Sequence, residues 1–281
     1  MKLDNGIISV EIANHGAELK SAVKAGFEYM WCADEKYWAR TAPVLFPIVG
    51  SLKDKSYKLD GQVYQMNQHG FARDNEFELV EYTDTSATFI FSETEETLIK
   101  YPFKFNLVIK YTLVENKIIV DWTVENKNDR TMSFSIGAHP AFNLKEGDNY
   151  FKFDTDKDID YHLIDETGLY DKNRVFTLKN DGYVKITHEM FDYDALIIED
   201  SQAKEVAMCD KNKVPYIKVK FDAKIFGLWA PVKKNAPFVC IEPWYGRCDR
   251  NDFDGYFSEK DHIINLDAHG KFNASYEIEL L

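Results

Sequence analysis

Apolar and polar residues alternate over many short segments of the chain. The clearest of these segments are IISVEIA, FELVEYT, SATFIFSE, FNLVIKYTLVE, KIIVDWTVENK, YVKITHE, DALIIED, EVAMC, YIKVKF, FGLWAP and FVCIEP. A period of two places successive side chains on opposite faces of an extended chain, so each segment predicts a β-strand. Polar clusters typical of turns separate the strands, and VENK at 114–117 and ENKNDR at 125–130 are the clearest.

Strands in this number, most with one apolar face, need a second sheet against which to bury that face. The pattern therefore predicts an all-β protein built as a large antiparallel β-sandwich. No Pro-, Gly- or Ser-rich linker, low-complexity tract or fixed-period repeat divides the chain. We therefore expect residues 1–281 to form a single domain, with helix confined to short segments such as ETEETLIKYP at 93–102.

The charge of the chain limits the classes of molecule that it is expected to bind. The formal net charge is −13, and the lysines and arginines are dispersed rather than gathered into a stripe, which argues against a nucleic-acid partner. No apolar run approaches the length that spans a bilayer, so no membrane association is expected. The N-terminal sequence enters the alternating pattern without a basic and then apolar signal segment, and we expect a cytoplasmic location.

The cysteines give no indication of a metal or a dithiol. Cys32, Cys209, Cys240 and Cys248 are scattered and form no CxxC pair, so free thiols in a reducing compartment are expected. The spacing of the seven histidines and four cysteines does not resemble a ligand set, and no glycine-rich dinucleotide loop is present. The sequence thus predicts neither a metal nor a cofactor.

One histidine stands where a strand pattern is broken. In SFSIGAHPAFN at 133–143, a β-patterned run ends in Gly, Ala, His139 and Pro140. Proline fixes its own φ and biases the preceding residue toward extended backbone, which would hold the imidazole rigidly at the edge of a sheet. Ordinary turn chemistry is the alternative explanation for a His-Pro pair at such a place.

A second ionisable group stands in a similar place about a hundred residues later. In PFVCIEPWYG at 237–246, Glu242 ends an apolar run and is again followed by proline. Two strand ends that each present one ionisable group predict an acid and a base facing a common cleft, with His139 as the residue to mutate first.

Two further stretches supply basic side chains. WARTAPVLFPIVG at 38–50 contains Arg40, which could clamp a ligand or could lie on the surface stacked on Trp38. In QMNQHGFARDNEFELV at 65–80, His69 and Arg73 lie in a polar turn. Such a turn can direct both side chains into one cleft, and an exposed loop is the alternative.

Together these motifs resemble a known family. HGFAR, GAHPAFN and IEPWYG occur in this order and, with WARTAPVLFPIVG, are similar to the aldose 1-epimerase (galactose mutarotase-like) family, most closely its LacX-like branch. The resemblance covers essentially the whole chain and implies a β-sandwich with its active site in a cleft on one sheet. It also implies that His139 is the general acid toward the sugar ring oxygen, Glu242 the general base toward the anomeric hydroxyl, and His69 a sugar ligand.

The family also implies a sugar-binding aspartate at the start of a later strand. HEMFDYDALIIED offers Asp192 and Asp194, which would share a face if both were extended. Asp194 is preferred because it directly abuts the apolar run ALII. A related branch acts on hexose 6-phosphates through basic residues, and Arg40 and Arg73 are the candidates here, although their presence does not decide whether the substrate is phosphorylated.

The expected activity is therefore interconversion of the α and β anomers of an aldose by acid–base ring opening. Modest pKa shifts would leave Glu242 basic and His139 protonated at neutral pH. A non-catalytic sugar-binding protein and a glycoside hydrolase, which needs two carboxylates, are the alternatives. Four aromatic residues could pack on a sugar ring or belong to the core: Phe71, Phe142, Trp244 and Tyr245. The sequence leaves open whether the protein is a monomer or a homodimer.

Overall fold

The computed structural model describes residues 1–281, and almost all of its regular structure is β. The strands of the first half of the chain are β1 (Lys2–Asp4), β2 (Ile8–Ile12), β3 (Leu19–Lys24), β4 (Phe27–Glu28), β5 (Val44–Leu45), β6 (Ser56–Leu59), β7 (Gln62–Gln65), β8 (Glu78–Tyr82), β9 (Ser86–Ser92), β10 (Phe105–Val114), β11 (Lys117–Asn126), β12 (Met132–Phe134), β13 (Ile136–Ala138) and β14 (Ala141–Asn143).

The strands of the second half are β15 (Tyr150–Phe153), β16 (Ile159–Ile164), β17 (Tyr170–Leu178), β18 (Val184–Lys185), β19 (Leu196–Ile198), β20 (Glu205–Cys209), β21 (Pro215–Phe221), β22 (Ile225–Trp229), β23 (Phe238–Tyr245), β24 (Ile264–Leu266) and β25 (Lys271–Leu280). The α-helix α1 spans Glu95–Lys100. Short 3₁₀ turns occur at Lys53–Lys55, Ala72–Asp74, His188–Phe191 and Phe257–Glu259.

The short helix lies where the sequence predicted one. Its N-cap is Thr94, whose side chain accepts a hydrogen bond from the Thr97 backbone N–H, while the Thr97 hydroxyl accepts one from the Thr94 N–H. This reciprocal pair satisfies two donors that a helix start leaves free. Pro102 follows closely and prevents the helix from continuing.

Two large antiparallel sheets form the body of the protein. One has nine strands in the order β18-β15-β20-β21-β25-β11-β10-β9-β8. The other has eight strands, in the order β17-β16-β19-β22-β23-β13-β5 with β14 also paired to β23. A four-stranded sheet, β1 to β4, and two small hairpin-like pairs, β6 with β7 and β12 with β24, complete the fold.

The apolar faces of the two large sheets meet in one core. Residues 117–126 of β11 alternate between buried and half-buried along the whole strand, as expected for a strand with one face in the core. A cluster of 62 buried residues extends from Leu3 to Leu280 and draws on both large sheets. The predicted all-β antiparallel sandwich is therefore confirmed. None of the helical segments has the length and apolarity that crossing a membrane requires.

Strand β23 is covered on both of its faces. Val239 and Ile241 point into the main core, whereas Trp244 belongs to a separate small cluster on the opposite face of the sheet. Since side chains alternate along a strand, Cys240 and Glu242 share the face of Trp244. That face forms the floor of a cavity.

Candidate active site

A cavity of about 330 Å³ opens on the outer face of the eight-stranded sheet. All six residues that the sequence singled out lie on its wall: Arg40, His69, Arg73, His139, Asp194 and Glu242. They come from loops and strands that are far apart in the sequence, and the pairing around β23 brings them together. This placement favours a shared cleft over an exposed loop for His69 and Arg73, whereas Arg40 keeps 30% of its side chain exposed.

A break between two strands places His139 beside Glu242. Strand β13 pairs Gly137 with Trp244, and β14 pairs Ala141 with Cys240, so the intervening residues lie opposite the centre of β23. His139 stands in this break, as its His-Pro sequence predicted. Glu242 does not end its strand as expected, because β23 continues to Tyr245. Its carboxylate is instead in the middle of a strand, paired across to Gly227.

The two ionisable groups are adjacent and buried. His139 Nδ1 lies 3.3 Å from Glu242 Oε2, and only 8% and 1% of their side chains are exposed. The alignment is not that of a hydrogen bond, and Nδ1 and both carboxylate oxygens have no hydrogen-bond partner in the protein. Buried polar groups are normally paired, so unpaired ones facing a cavity indicate groups kept free for a ligand.

Burial changes the pKa of both groups. It raises the pKa of Glu242 well above its usual range, and the neighbouring Asp194 carboxylate adds to the shift. It lowers the pKa of His139 to about 3, with the positive charge of Arg73 acting in the same direction. The expectation of modest shifts is therefore wrong. Burial therefore favours the neutral forms of both groups, because each charged form would lose its hydration.

Two glycines make room for the floor of the cavity. A Cβ at Gly227 would lie 2.5 Å from two ring carbons of Trp244, and a Cβ at Gly137 would lie 2.7 Å from its Cδ1. These distances are far below van der Waals contact, so only glycine lets the indole lie across both neighbouring strands. The buried Trp244 Nε1 has no hydrogen-bond partner.

Tryptophans surround the imidazole of His139. The Trp38 ring lies 4.7 Å from it, tilted by 30°, and the Trp229 ring lies 5.1 Å away at 88°. Trp38 therefore packs against His139 rather than against Arg40. Neither tryptophan was predicted to be a site residue, although WARTAP and FGLWAP share a Trp that is followed directly by an alanine.

The four aromatic residues offered as a sugar platform separate into two groups. Trp244 lines the cavity. Phe71 and Phe142 belong to the main core, and Tyr245 packs against it. The core explanation is therefore correct for these three residues.

His69 presents one defined nitrogen to the cavity. The backbone N–H of Gly50 donates to His69 Nδ1 at 3.1 Å, so Nδ1 is an acceptor and the ring proton is on Nε2. The His69 N–H in turn donates to the Gly50 carbonyl at 2.9 Å. Burial holds the pKa of His69 well below 6.5, and the charges of Arg73 and His139 add to this effect. His69 is therefore a neutral hydrogen-bond donor.

The two arginines differ in how far they are already paired. Arg40 Nη2 donates to Asp74 Oδ1 at 2.7 Å. Arg73 donates from Nη2 to the Gln68 carbonyl at 2.9 Å, while its buried Nε makes no hydrogen bond and lies 3.9 Å from Asp74 Oδ2. Burial, with the nearby charge of Arg40, lowers the pKa of Arg73 to about 10. Arg73 is thus the guanidinium with a free donor at the cavity.

Asp194 rather than Asp192 lines this cavity, while both line a neighbouring depression. The two are not extended as supposed: Asp192 ends a 3₁₀ turn, and Asp194 has a φ of 77°. Asp194 Oδ1 accepts a hydrogen bond from the Ala195 N–H at 2.7 Å, which helps to fix this turn. Burial raises the pKa of Asp194.

Comparison with known proteins identifies the family of the chain. Residues 1–250 match the aldose 1-epimerase family. The plasmid and chromosomal LacX proteins of Lactococcus lactis subsp. lactis are each 30% identical to the chain, over 100% of this chain and 99% of theirs. The chain belongs to the aldose 1-epimerase family. The resemblance found in the motifs, including the LacX-like branch, is confirmed.

Solved structures of family members have the same fold. A galactose mutarotase related enzyme from Lactobacillus acidophilus is 34% identical with a TM-score of 0.94, over 100% of this chain and 97% of that chain. A galactose mutarotase-like protein from Lactobacillus casei is 27% identical with a TM-score of 0.93, over 100% and 99%. The sandwich described here is therefore the fold of these galactose mutarotase-like proteins.

One set of side chains in this aldose 1-epimerase family member could hold a metal ion. Ligand atoms of His139, Cys240 and Glu242 all lie within 4.8 Å of one another, and all three residues are buried. The spacing of histidines and cysteines along the sequence predicted no such set. Pairing of β14 with β23 creates it, because Ala141 lies opposite Cys240.

Proposed function

We propose that this protein is an aldose 1-epimerase, an isomerase that interconverts the α and β anomers of a hexose or related aldose. The observation that carries the proposal is the buried, unpaired His139–Glu242 couple on the floor of the cavity, with 3.3 Å between Nδ1 and Oε2. Ring opening of a hemiacetal needs one group to take a proton and another to give one, and this couple supplies both.

The reaction proceeds by two proton transfers in each direction. Glu242 removes the proton of the C1 hydroxyl while His139 gives a proton to the ring oxygen, so the C1–O5 bond breaks and an open-chain aldehyde forms. Rotation about C1–C2 exposes the other face of the carbonyl. Closure then reverses the roles: His139 takes the proton from O5, and Glu242 returns a proton to O1. No electron transfer and no covalent intermediate are involved.

The couple therefore needs one proton that can occupy either partner. The ring form of the sugar requires an ionised Glu242 and a protonated His139, and the open-chain form requires the reverse. Because Nδ1 of His139 faces Glu242, Nε2 is the nitrogen that reaches the ring oxygen. Sugar hydroxyls that donate to the carboxylate replace its lost hydration, and this favours the ionised couple once substrate is bound.

The remaining cavity residues bind the sugar in this proposal. His69 donates its Nε2 proton to a hydroxyl, and Asp194 accepts from another. Arg73 donates through its unpaired Nε. Trp38, Trp229 and Trp244 provide apolar surface for the faces of the ring, as aromatic side chains do where one side of a ligand is apolar.

We expect the pH profile of kcat/KM to be a broad plateau that includes neutral pH. Activity requires one proton on the couple, so the acid limb follows a second proton binding to His139, whose pKa is lowered to about 3. The alkaline limb follows loss of the only proton, from Glu242, whose pKa burial raises. Both limbs report pKa values of the couple as a whole. With ordinary pKa values the acid limb would instead come from Glu242 and the alkaline limb from His139. An acid limb centred at 6.5, the usual imidazole value, would contradict this assignment.

Polarimetry tests the activity directly. Freshly dissolved α-glucose and α-galactose should reach their equilibrium rotation faster with the protein than in buffer alone, and the added rate should scale with protein concentration. A sugar-binding protein without activity leaves the spontaneous rate unchanged. A glycoside hydrolase leaves it unchanged too, but it releases reducing sugar from a glycoside, so a second assay for that release separates the hydrolase from the binding protein.

A hexose 6-phosphate is a second candidate substrate, because two guanidinium groups flank the cavity. Asp74 already pairs with Arg40 at 2.7 Å, so a phosphate would have to displace that carboxylate or share the arginine. We therefore expect a lower KM for a neutral hexose than for its 6-phosphate. Arg40→Ala should change neither value by much. The matched control is Arg130→Ala, which removes an exposed arginine paired to Asp60.

The opposite pattern would make the phosphorylated sugar the substrate. A KM about tenfold lower for the 6-phosphate corresponds to about 1.4 kcal/mol of additional binding. If Arg40→Ala abolished that preference and Arg130→Ala preserved it, the guanidinium of Arg40 would be identified as the phosphate ligand.

All four cysteines are unpaired, which supports a reducing compartment such as the cytoplasm.

A further inference from the structure

A buried thiol lies directly behind the acid–base couple. Cys240 precedes Glu242 by two residues on β23, so both side chains are on the same face of the strand. The Cys240 sulfur, His139 Nδ1 and a Glu242 oxygen lie within 4.8 Å of one another. None of the proton transfers proposed above uses this thiol.

The other two groups of this cluster have free lone pairs. His139 Nδ1 and both oxygens of Glu242 are buried and have no hydrogen-bond partner in the protein. Cys240 is fully buried beside Trp31, Ala141 and Phe238. An imidazole nitrogen, a thiolate and a carboxylate are the three ligand types that Zn²⁺ prefers.

We propose that His139, Cys240 and Glu242 form an inhibitory site for a thiophilic divalent cation, of which Zn²⁺ is the example. Zn–N, Zn–O and Zn–S bonds of about 2.0–2.3 Å place the ligands of a tetrahedral ion about 3.3–3.8 Å apart. The three ligand atoms lie within 4.8 Å of one another, so side-chain adjustment has to draw them closer around the ion. His139 and Glu242 line the cavity, which gives the ion a path to the site.

Proton and charge balance favours the bound ion. The thiol of Cys240 and the carboxyl of Glu242 each lose a proton when the Zn–S and Zn–O bonds form, and neutral His139 contributes the lone pair of Nδ1. Two protons therefore enter the buffer for each ion bound. The charges of the ion, the thiolate and the carboxylate sum to zero, so the buried complex carries no net charge.

Binding should inhibit because the ion occupies the atoms that move protons. This consequence rests on the proposed function, whereas ion binding itself does not. We expect Zn²⁺ to suppress mutarotation and a chelator to restore it. The inhibition should strengthen as pH rises, because protons are released on binding. A metal required for the reaction would give the opposite response to chelator.

The decisive experiment titrates the purified protein with Co²⁺, an optical substitute for Zn²⁺, and records thiolate-to-metal absorption in the near ultraviolet. The variants are Cys240→Ala and, should that variant not fold, Cys240→Ser, which keeps the size of the side chain. Cys248→Ala is the matched control, because Cys248 is also buried and lines the same cavity. Zn²⁺ affinity is measured in parallel by competition with a chelating indicator.

The wild type and Cys248→Ala should show the absorption, and Cys240→Ala should lose it. Mutation of a residue that only supports a metal ligand typically lowers metal affinity by roughly 10- to 100-fold. The loss of Zn²⁺ affinity in Cys240→Ala should be larger than this. Absence of the band in the wild type, or its persistence in Cys240→Ala, would overturn the proposal. A protein that shows the band but turns over no aldose would instead refute the proposed function and leave the cation site intact.

Discussion

Glu242→Gln should lower kcat by about 100- to 10,000-fold, the range typical for loss of one general acid or base. The amide has nearly the shape of the carboxyl group but cannot take the C1 proton. Because sugar binding relies mainly on other residues, KM should change much less than kcat, which identifies an interaction made in the transition state. Polarimetry with α-glucose or α-galactose measures both constants.

The same variant should remain folded and should be no less stable than the wild type at neutral pH. Burial raises the pKa of Glu242 above its ordinary value of 4.5. Above that pH the unfolded chain releases the proton while the folded chain keeps it, so stability falls as pH rises. Glutamine has no proton to take up, and its Tm at pH 7 should match or exceed that of the wild type.

A Glu242→Gln protein that folds normally and turns over an aldose at the wild-type rate would remove Glu242 from the mechanism. A Tm that is strongly lowered would instead make the loss of activity a folding effect. Thermal unfolding followed by circular dichroism separates these outcomes, because the variant is expected to lose activity while its Tm stays the same or rises.

His139→Asn should also lower kcat by about 100- to 10,000-fold, since it removes the group that protonates the ring oxygen. Asparagine is shorter and does not exchange a proton with the substrate, whereas its amide remains polar in the break between β13 and β14. The acid limb of the pH profile should change as well, because the group with the lowered pKa is lost. Initial rates over a range of pH measure both effects.

The control for this variant is His162→Asn. His162 is another largely buried histidine of the eight-stranded sheet, with its ring 4.7 Å from that of Tyr170, but it does not line the cavity. Its replacement should leave kcat within a few-fold of the wild type. Equal losses in the two variants would show that His139 acts only through the packing of the sheet and is not the acid.

Much of the fold could be predicted from alternation, and the misses have physical reasons. The segments FNLVIKYTLVE and KIIVDWTVENK correspond closely to β10 and β11, whose inner faces are continuously apolar. Strand β17 was missed because it lies at the edge of its sheet and most of its residues are exposed. Strand β25 was missed although it is central and keeps the period of two, because the small Ala274 makes the apolar face weak in its first half.

The composition of the site was more predictable than its geometry. The motifs supplied six of the polar residues that line the cavity but not Gln68. His139 and Glu242 were recognisable because they stand in short sequences that interrupt the alternation. The position of Glu242 within β23 was not predictable, because Pro243 usually ends a strand but here lies opposite Phe226. The large pKa shifts and the approach of Cys240 to His139 depend on pairing between residues a hundred positions apart, which no local pattern contains.

The most direct test of the central claim is exchange spectroscopy by NMR on an equilibrium mixture of glucose or galactose anomers. The wild-type protein should produce exchange cross-peaks between the α and β anomeric protons, and Glu242→Gln at the same concentration should not. Failure of the wild type to enhance exchange for any aldose, or undiminished exchange with Glu242→Gln, would contradict anomer interconversion by the His139–Glu242 couple.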